Sequence, residues 1–218
     1  MPDVPSFALT LKESTREHHV RAERHPIQQA ILQGRIDRAT WGLLVAQNRA
    51  VHAALESALD AAKASDPRVG AVFAPHHRRL ANYDADLAAL GVSDADRAPL
   101  PGTRAVADWV VSLPAKAPIS VLGVLYVIEG STNGGQFLSR VLKPALRLES
   151  AAGVSSLDPH GPQTGPRWQQ FRAAIDALSL SPGDQAAIID VAGKTFDALG
   201  RVFDAVTEAR RPAVARTS

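Results

Sequence analysis

Four residues near the start of the chain have the types and spacing to hold a metal-centred, anionic ligand. Lys12, Arg16, His19 and Glu23 recur at i, i+4, i+7 and i+11, which puts them on one stripe of a helix. The imidazole of His19 can ligate a metal while Glu23, one turn on, orients its other ring nitrogen directly or through a water. Cations one and two turns earlier could meet an anionic edge of the same ligand. A solvated polar stripe has the same pattern, and spacing alone does not choose between His18 and His19. The acid favours His19, because the residue four on from His18 is Ala22. None of the remaining histidines forms a paired metal spacing such as H-E-x-x-H. His76 and His77 read as solvated residues opening a charged helix, His52 as a surface or core filler, and His160 as part of a flexible loop.

The second chemically suggestive stretch is residues 118–146, PISVLGVLYVIEGSTNGGQFLSRVLKPAL. Pro118 sits where a helix could start and Pro144 stops the pattern. An apolar run leads into Gly130-Ser131-Thr132-Asn133-Gly134-Gly135, and helical periodicity resumes at Phe137. Each glycine inside a helix costs about 1 kcal/mol against alanine, so something should offset them. Two readings stay open: a buried strand followed by an Asn133-Gly134 turn, or one helix, kinked at its Gly/Ser cluster. In the helical reading Gly130 and Gly134 share a face, and their bare backbone lets a flat object lie against it.

The elements that must position these residues read as helices throughout. The first runs from a Ser6 cap to about Arg24, where His25-Pro26 breaks it. A short piece, Ile27 to Leu32, ends at Gly34. Asp37 opens a long amphipathic run to Lys63, closed by Asp66-Pro67, and residues 68–73 read as a turn. Residues 76–90 form a helix that Gly91 terminates. Residues 93–102 read as loop, and Thr103 caps a helix through Leu113. After the glycine-rich helix, residues 149–166 are a Gly/Pro/Ser-rich loop, and 167–178 are helical. Ser181, Pro182 and Asp184 open a last helix to about Ala209. The expectation is an all-α, single-domain bundle of about eight helices over residues 1–210, with a disordered tail at 211–218.

At 218 residues such a domain can bury roughly 70% of its unfolded surface without staples. The chain has no cysteine, which excludes disulfides, thiolate metal sites and a cysteine nucleophile. Its longest apolar stretch is too short to span a bilayer, and no signal peptide is visible, so a cytoplasmic protein without a membrane partner is expected. A net charge of +2 with both signs intermixed gives no indication of nucleic acid.

Three segments, in order along nearly the whole chain, resemble the heme oxygenase family. LKESTREHHVRAE at 11–23 is similar to the proximal-helix segment, YVIEGSTNGGQFLSRVL at 126–142 to the distal helix, and RWQQFRAAIDALSLSP at 167–182 to the segment entering the last helix. The form EGSTxGGQ is similar to the bacterial biliverdin-producing branch. The resemblance implies heme held between the first, proximal helix and the glycine-rich distal helix, serving as both substrate and cofactor. His19 is then the iron ligand with Glu23 as its partner. Gly130, Ser131, Gly134 and Gly135 form the catalytic distal motif. Lys12 and Arg172 are implied to meet the propionates, with Tyr126 a candidate to join them, and Phe196 to line the pocket; Arg16 belongs to the binding set through its place on the stripe. Where animal enzymes carry an aspartate after the first distal glycine this chain has Ser131, which can hold water but cannot match a carboxylate's charge. The implied reaction opens heme with O2 and external electrons to biliverdin, CO and ferrous iron. No G-x-G-x-x-G fingerprint is present, so the electrons are expected from a separate ferredoxin or reductase, and a biliverdin-using photoreceptor is a candidate partner. A carrier or sensor of heme that does not cut it is the alternative.

Overall fold

The computed structural model describes residues 6–211, so positions 212–218 of the expected tail lie outside the described residues. Among the described residues the chain forms eleven α-helices and no strand. Ser6 caps α1 (Phe7–Ser14) by accepting from the Leu9 amide, and α2 (Arg16–Glu23) follows after a single residue. The first predicted helix is therefore two. The interruption is at buried Thr15, whose hydroxyl donates to the Leu11 carbonyl at 2.8 Å, a back-bond of the kind that bends helices.

α3 (Pro26–Leu32) has proline in its first turn, and α4 (Arg38–Ser65) starts at the predicted Asp37 cap. Asp66 and Pro67 then begin a new helix, α5 (Pro67–Val72), where a turn was expected. α6 (Leu80–Leu90) starts later than predicted, because residues 75–77 form a 3-10 turn. Ser93 caps α7 (Asp94–Arg97) inside the expected loop. α8 (Pro101–Lys116) begins before Thr103, which is a buried residue of its first turns rather than its cap. α9 (Val121–Ala145) runs unbroken through the glycine cluster, and none of those glycines has positive φ, so the strand-and-turn alternative is excluded. α10 (Thr164–Asp176) and α11 (Pro182–Ala209) complete the bundle, the latter with the predicted Ser181/Asp184 capping box.

The bundle is built around α4, which packs on α8, α6, α5, α9 and α11. Two apolar clusters fill it. One gathers Leu55, Leu59, Val110, Leu122, Leu125, Phe171 and Ile188; the other gathers Trp41, Leu44, Leu87, Leu142 and Val202. α4, α9 and α11 feed both clusters, so the two halves share one frame. α9 meets α11 backbone to backbone: a Cβ on Gly123 would lie 2.4 Å from the Ile188 carbonyl oxygen. The long loop after α9 is fastened by buried Asp86, whose carboxylate accepts from the amides of Gly153, Ser155 and Ser156 at 2.7 to 2.8 Å. Trp41 adds a bond from its indole N–H to the Gly153 carbonyl at 2.7 Å.

Candidate functional site

The predicted stripe is divided by the Thr15 bend, Lys12 lying on α1 and Arg16, His19 and Glu23 on α2, and it stands in solvent although α2 rests on α11. No residue of α2 is buried, and the side chains of His19 and Glu23 are more than half exposed. His19 Nδ1 lies 3.7 Å from the Glu23 carboxylate, beyond direct hydrogen-bond length and within reach of one bridging water. The other flank of the imidazole is held edge-on by Phe196 of α11, with ring centroids 5.6 Å apart and planes at 85°. His19 is thereby oriented by an aromatic neighbour and an acid while its face stays accessible. Lys12 and Arg16 are exposed, and Arg172 on α10 is half-buried. The arginine and lysine ion pairs among the described residues are all made by other side chains.

One stripe of α9 opens like a wedge. Gly123, Gly130 and Gly134 fall within roughly 40° of each other at about 100° per residue. At Gly123 the stripe touches the α11 backbone. At Gly130 an added Cβ would make ordinary contact with the Trp168 ring, 3.4 Å away, and at Gly134 it would meet nothing within 4 Å. Phe137, next on the stripe, is 54% exposed, the largest apolar residue so exposed among the described residues. Apolar surface beside bare backbone, widening away from a closed end, suits a flat and largely apolar ligand. Ser131, Thr132 and Asn133 each donate from their side chains to the carbonyls three residues back, at 2.7, 2.7 and 2.9 Å. This leaves the exposed Ser131 oxygen as an acceptor, since its proton is engaged by Ile128.

Gly135, expected to complete the open motif, faces the other way. A Cβ there would lie 1.8 Å from the Leu157 carbonyl oxygen, so its missing side chain makes room for the 149–163 loop. Tyr126 is also withdrawn: it is buried, and its ring tilts on Trp168 at 5.5 Å. Burial pushes its phenol pKa up, partly offset by the Thr15 hydroxyl and the charge of Arg172. Tyr126 therefore links the α1–α2 bend to α10 beneath the wedge.

Behind the wedge lies a buried polar cluster that local sequence did not reveal. Glu129, fully buried one residue before Gly130, pairs with buried Arg79 and accepts from His160 at 2.7 Å. Burial would raise its pKa, but His160 and Arg79 outweigh it and hold the carboxyl at about 2. His77 is 2% exposed, not solvated, and burial depresses its pKa to about 4. His52 is equally buried, beside Glu56, and is depressed to about 3 by burial and then by Arg79. His160 is fixed by Glu129 rather than mobile, its side chain 4% exposed. The only sequence signal for this cluster was the acid next to the glycine motif, which says nothing of a partner fifty positions away.

The chain is similar along most of its length to one family of known proteins. A family profile described as heme oxygenase matches residues 5–205. A heme oxygenase of Pyropia yezoensis is 26% identical over 205 residues, covering 92% of this chain and 86% of that protein. Heme oxygenase 2 of the cyanobacterium Synechocystis is 25% identical over 187 residues, covering 84% and 74%. The structure of heme oxygenase-2 from Synechocystis, solved with heme and NO, superposes with a TM-score of 0.85 at 22% identity, covering 94% of this chain and 86% of that one. The heme oxygenase of Leptospira interrogans gives 0.84 at 23% identity, covering 91% and 98%.

Proposed function

The chain belongs to the heme oxygenase family, and from that premise we propose that the wedge between α2 and α9 is where it binds and opens heme. The carrying observation is the stripe running from backbone contact at Gly123 to open space at Gly134, with an accessible imidazole at His19 on α2, which packs on the same helix α11 that α9 does. The side chains present fit the ligand. His19 holds the iron as a neutral imidazole, with Glu23 fixing its other nitrogen. Lys12, Arg16 and Arg172 meet the carboxylate edge, and Phe137 and Phe196 cover apolar ring surface. Gly130 and Gly134 would present bare backbone to the bound ring, and Ser131 would accept from a water beside it. Bound in this way, heme supplies the redox-active iron and is itself the substrate, oxidised by O2 and external electrons to biliverdin, CO and ferrous iron. Gly135 contributes indirectly, by letting the 149–163 loop buttress the rear of α9.

The family implies a separate reductase as electron source. Our reading extends to a ferredoxin or reductase docking beside the exposed heme edge, a photoreceptor as one taker of biliverdin, a cytoplasmic location, and one functional domain over residues 1–210. Among the described residues no helix is long and apolar enough to cross a membrane. The test is optical. Hemin should bind about one to one with a histidine-ligated Soret band, and reductant with O2 in the presence of catalase should convert it to biliverdin and CO. His19→Ala should lose the ligated spectrum and regain it with imidazole. A spectrum unchanged in His19→Ala but lost in His18→Ala would overturn the ligand assignment.

A further inference from the structure

α2 raises a physical problem that the heme site does not answer. An eight-residue helix is too short to be stable in isolation, and this one buries no residue against its neighbours. A bend at Thr15 precedes it and His25-Pro26 follows, so neither end continues a longer rod. Ligation by His19 nevertheless requires its rotation about its own axis to be set, since roughly 100° separates His18 from His19.

On its rear, α2 meets a second stripe of α11: Gly193, Asp197, Gly200 and Asp204, at i, i+4, i+7 and i+11. His18 lies over Gly193, where an added Cβ would be 3.1 Å from the imidazole Nε2. His18 Nδ1 is 3.2 Å from the Asp197 carboxylate and 2.8 Å from the Arg21 guanidinium, which itself donates to Asp197 at 3.3 Å. Immediately past α2, His25 Nε2 lies 3.1 Å from Asp204 Oδ1, and its ring rests on Phe203 with centroids 5.1 Å apart. A pocket of about 190 Å3 lies along this seam; His18, His25, Asp197 and Asp204 line it and His19 does not. The pairs repeat with one spacing. His18 to His25 is seven residues, and so is Asp197 to Asp204.

We propose that His18–Asp197 and His25–Asp204 are two pins that fix the rotation of the proximal helix on α11, so that His19 faces the wedge. His18, Asp197, His25 and Asp204 are positioning residues, and His18, about 100° round the helix from His19, is engaged against Gly193 and Asp197 of α11. The inference rests on the reading of His19 as the iron ligand. Single exposed ion pairs add little stability, but α2 buries no residue fully and only half-buries Val20 and Ala22, so the pairs decide its orientation. Gly193 is part of the device, because a side chain there would press on the His18 ring, 3.1 Å from an added Cβ, and push it off its seat on α11.

The test uses the full chain loaded with hemin, comparing wild type with Asp197→Ala/Asp204→Ala, Asp197→Asn/Asp204→Asn and Gly193→Ala. The ferrous iron–histidine stretch is read by resonance Raman, heme release by transfer to excess apomyoglobin, and the fold by melting of the apoprotein. In the double alanine variant the stretch should broaden or shift and heme should leave about tenfold faster, with the apoprotein melting within a few degrees of wild type. The asparagine pair, which keeps acceptors, should recover most of both readouts. Gly193→Ala leaves every charge in place and displaces only the His18 ring, so it should shift the stretch in the same sense and keeps the test valid if the double variant fails to fold. An unchanged stretch and release rate in the folded variants overturns the pins. A wild-type complex without an iron–histidine band, or one whose band survives His19→Ala, overturns the ligand assignment instead.

Discussion

Gly134 and Gly135 are neighbours in one helix, yet the structure assigns opposite signs to the same substitution. At Gly134 the backbone is helical and an added methyl meets nothing within 4 Å. Alanine there should gain the helix-propensity difference, about 1 kcal/mol, which for a domain of this size raises the melting temperature by roughly 2–4 °C. At Gly135 the methyl would sit 1.8 Å from the Leu157 carbonyl oxygen. The loop cannot slide aside cheaply, because Asp86, Trp41 and Glu129 hold it on both sides of that contact. Overpacking of this kind costs about 1–3 kcal/mol or more. A 1.8 Å approach to backbone belongs at the upper end of that range, so after subtracting the propensity gain the net loss is about 2 kcal/mol, a fall of roughly 4–8 °C. Apoprotein melting by circular dichroism reads both signs, and biliverdin yield on the same samples reads function. Gly134→Leu should keep the fold and His19 ligation but lose most of the yield, because the side chain fills the wedge where the ligand face must lie. Shifts of the same sign at 134 and 135 would refute the two-faced account of α9, and full yield from Gly134→Leu would refute the close-approach account of the wedge.

Two further outcomes follow from the buried polar cluster. His52 and His77 have folded pKa values depressed to about 3 and about 4, so below about pH 6.5 the unfolded chain takes up protons that the folded chain refuses, and stability falls as pH falls. Between pH 7.5 and 5.0 each should cost about 2 kcal/mol; urea midpoints that do not move across this range would contradict their burial as neutral rings. Glu129→Gln strips the counter-charge from buried Arg79 and should cost about 3–5 kcal/mol, with faster proteolysis of the 149–163 loop. Asp190→Asn at the exposed Lys194 pair should stay within about 0.5 kcal/mol. Equal midpoints for the two variants would show that Glu129 is not the anchor.

What was legible in the sequence was whatever repeats locally. Apolar spacing and capping residues placed α4 and α11 to within a few positions, and Pro118 and Pro144 bracketed α9 without deciding between helix and strand. The failures are of one physical kind. Thr15 divides the first helix by bonding to a carbonyl that its own backbone also needs, and a threonine inside a helix carries no mark of that choice. The loop after α9 looks unstructured because the group that orders it, Asp86, lies nearly seventy residues earlier. His77 and His160 read as solvated or mobile because the burial that fixes them comes from elements remote in sequence.

The glycines show how far a motif can be carried. EGSTNGGQ reads as a unit, yet the helix divides it by angle. Gly130 and Gly134 fall on the face that opens away from α11, while Glu129, Thr132 and Gly135 fall on the face buried against the loop and the Arg79 cluster. The same eight residues thus build a bare wall for a flat ligand and a tightly packed rear that holds the wall in place. A glycine's role is set by what approaches its missing side chain, and at Gly135 that is the chain's own backbone. Buried ionic pairs cost desolvation and seldom exist for stability alone. Arg79, Glu129 and His160 join the segment before α6, the distal helix and the long loop at one point directly behind Gly130. A rigid rear at that point is what allows a run of small and polar residues, Gly130 to Gly134, of which all but Thr132 are exposed or half-exposed, to remain one continuous helix.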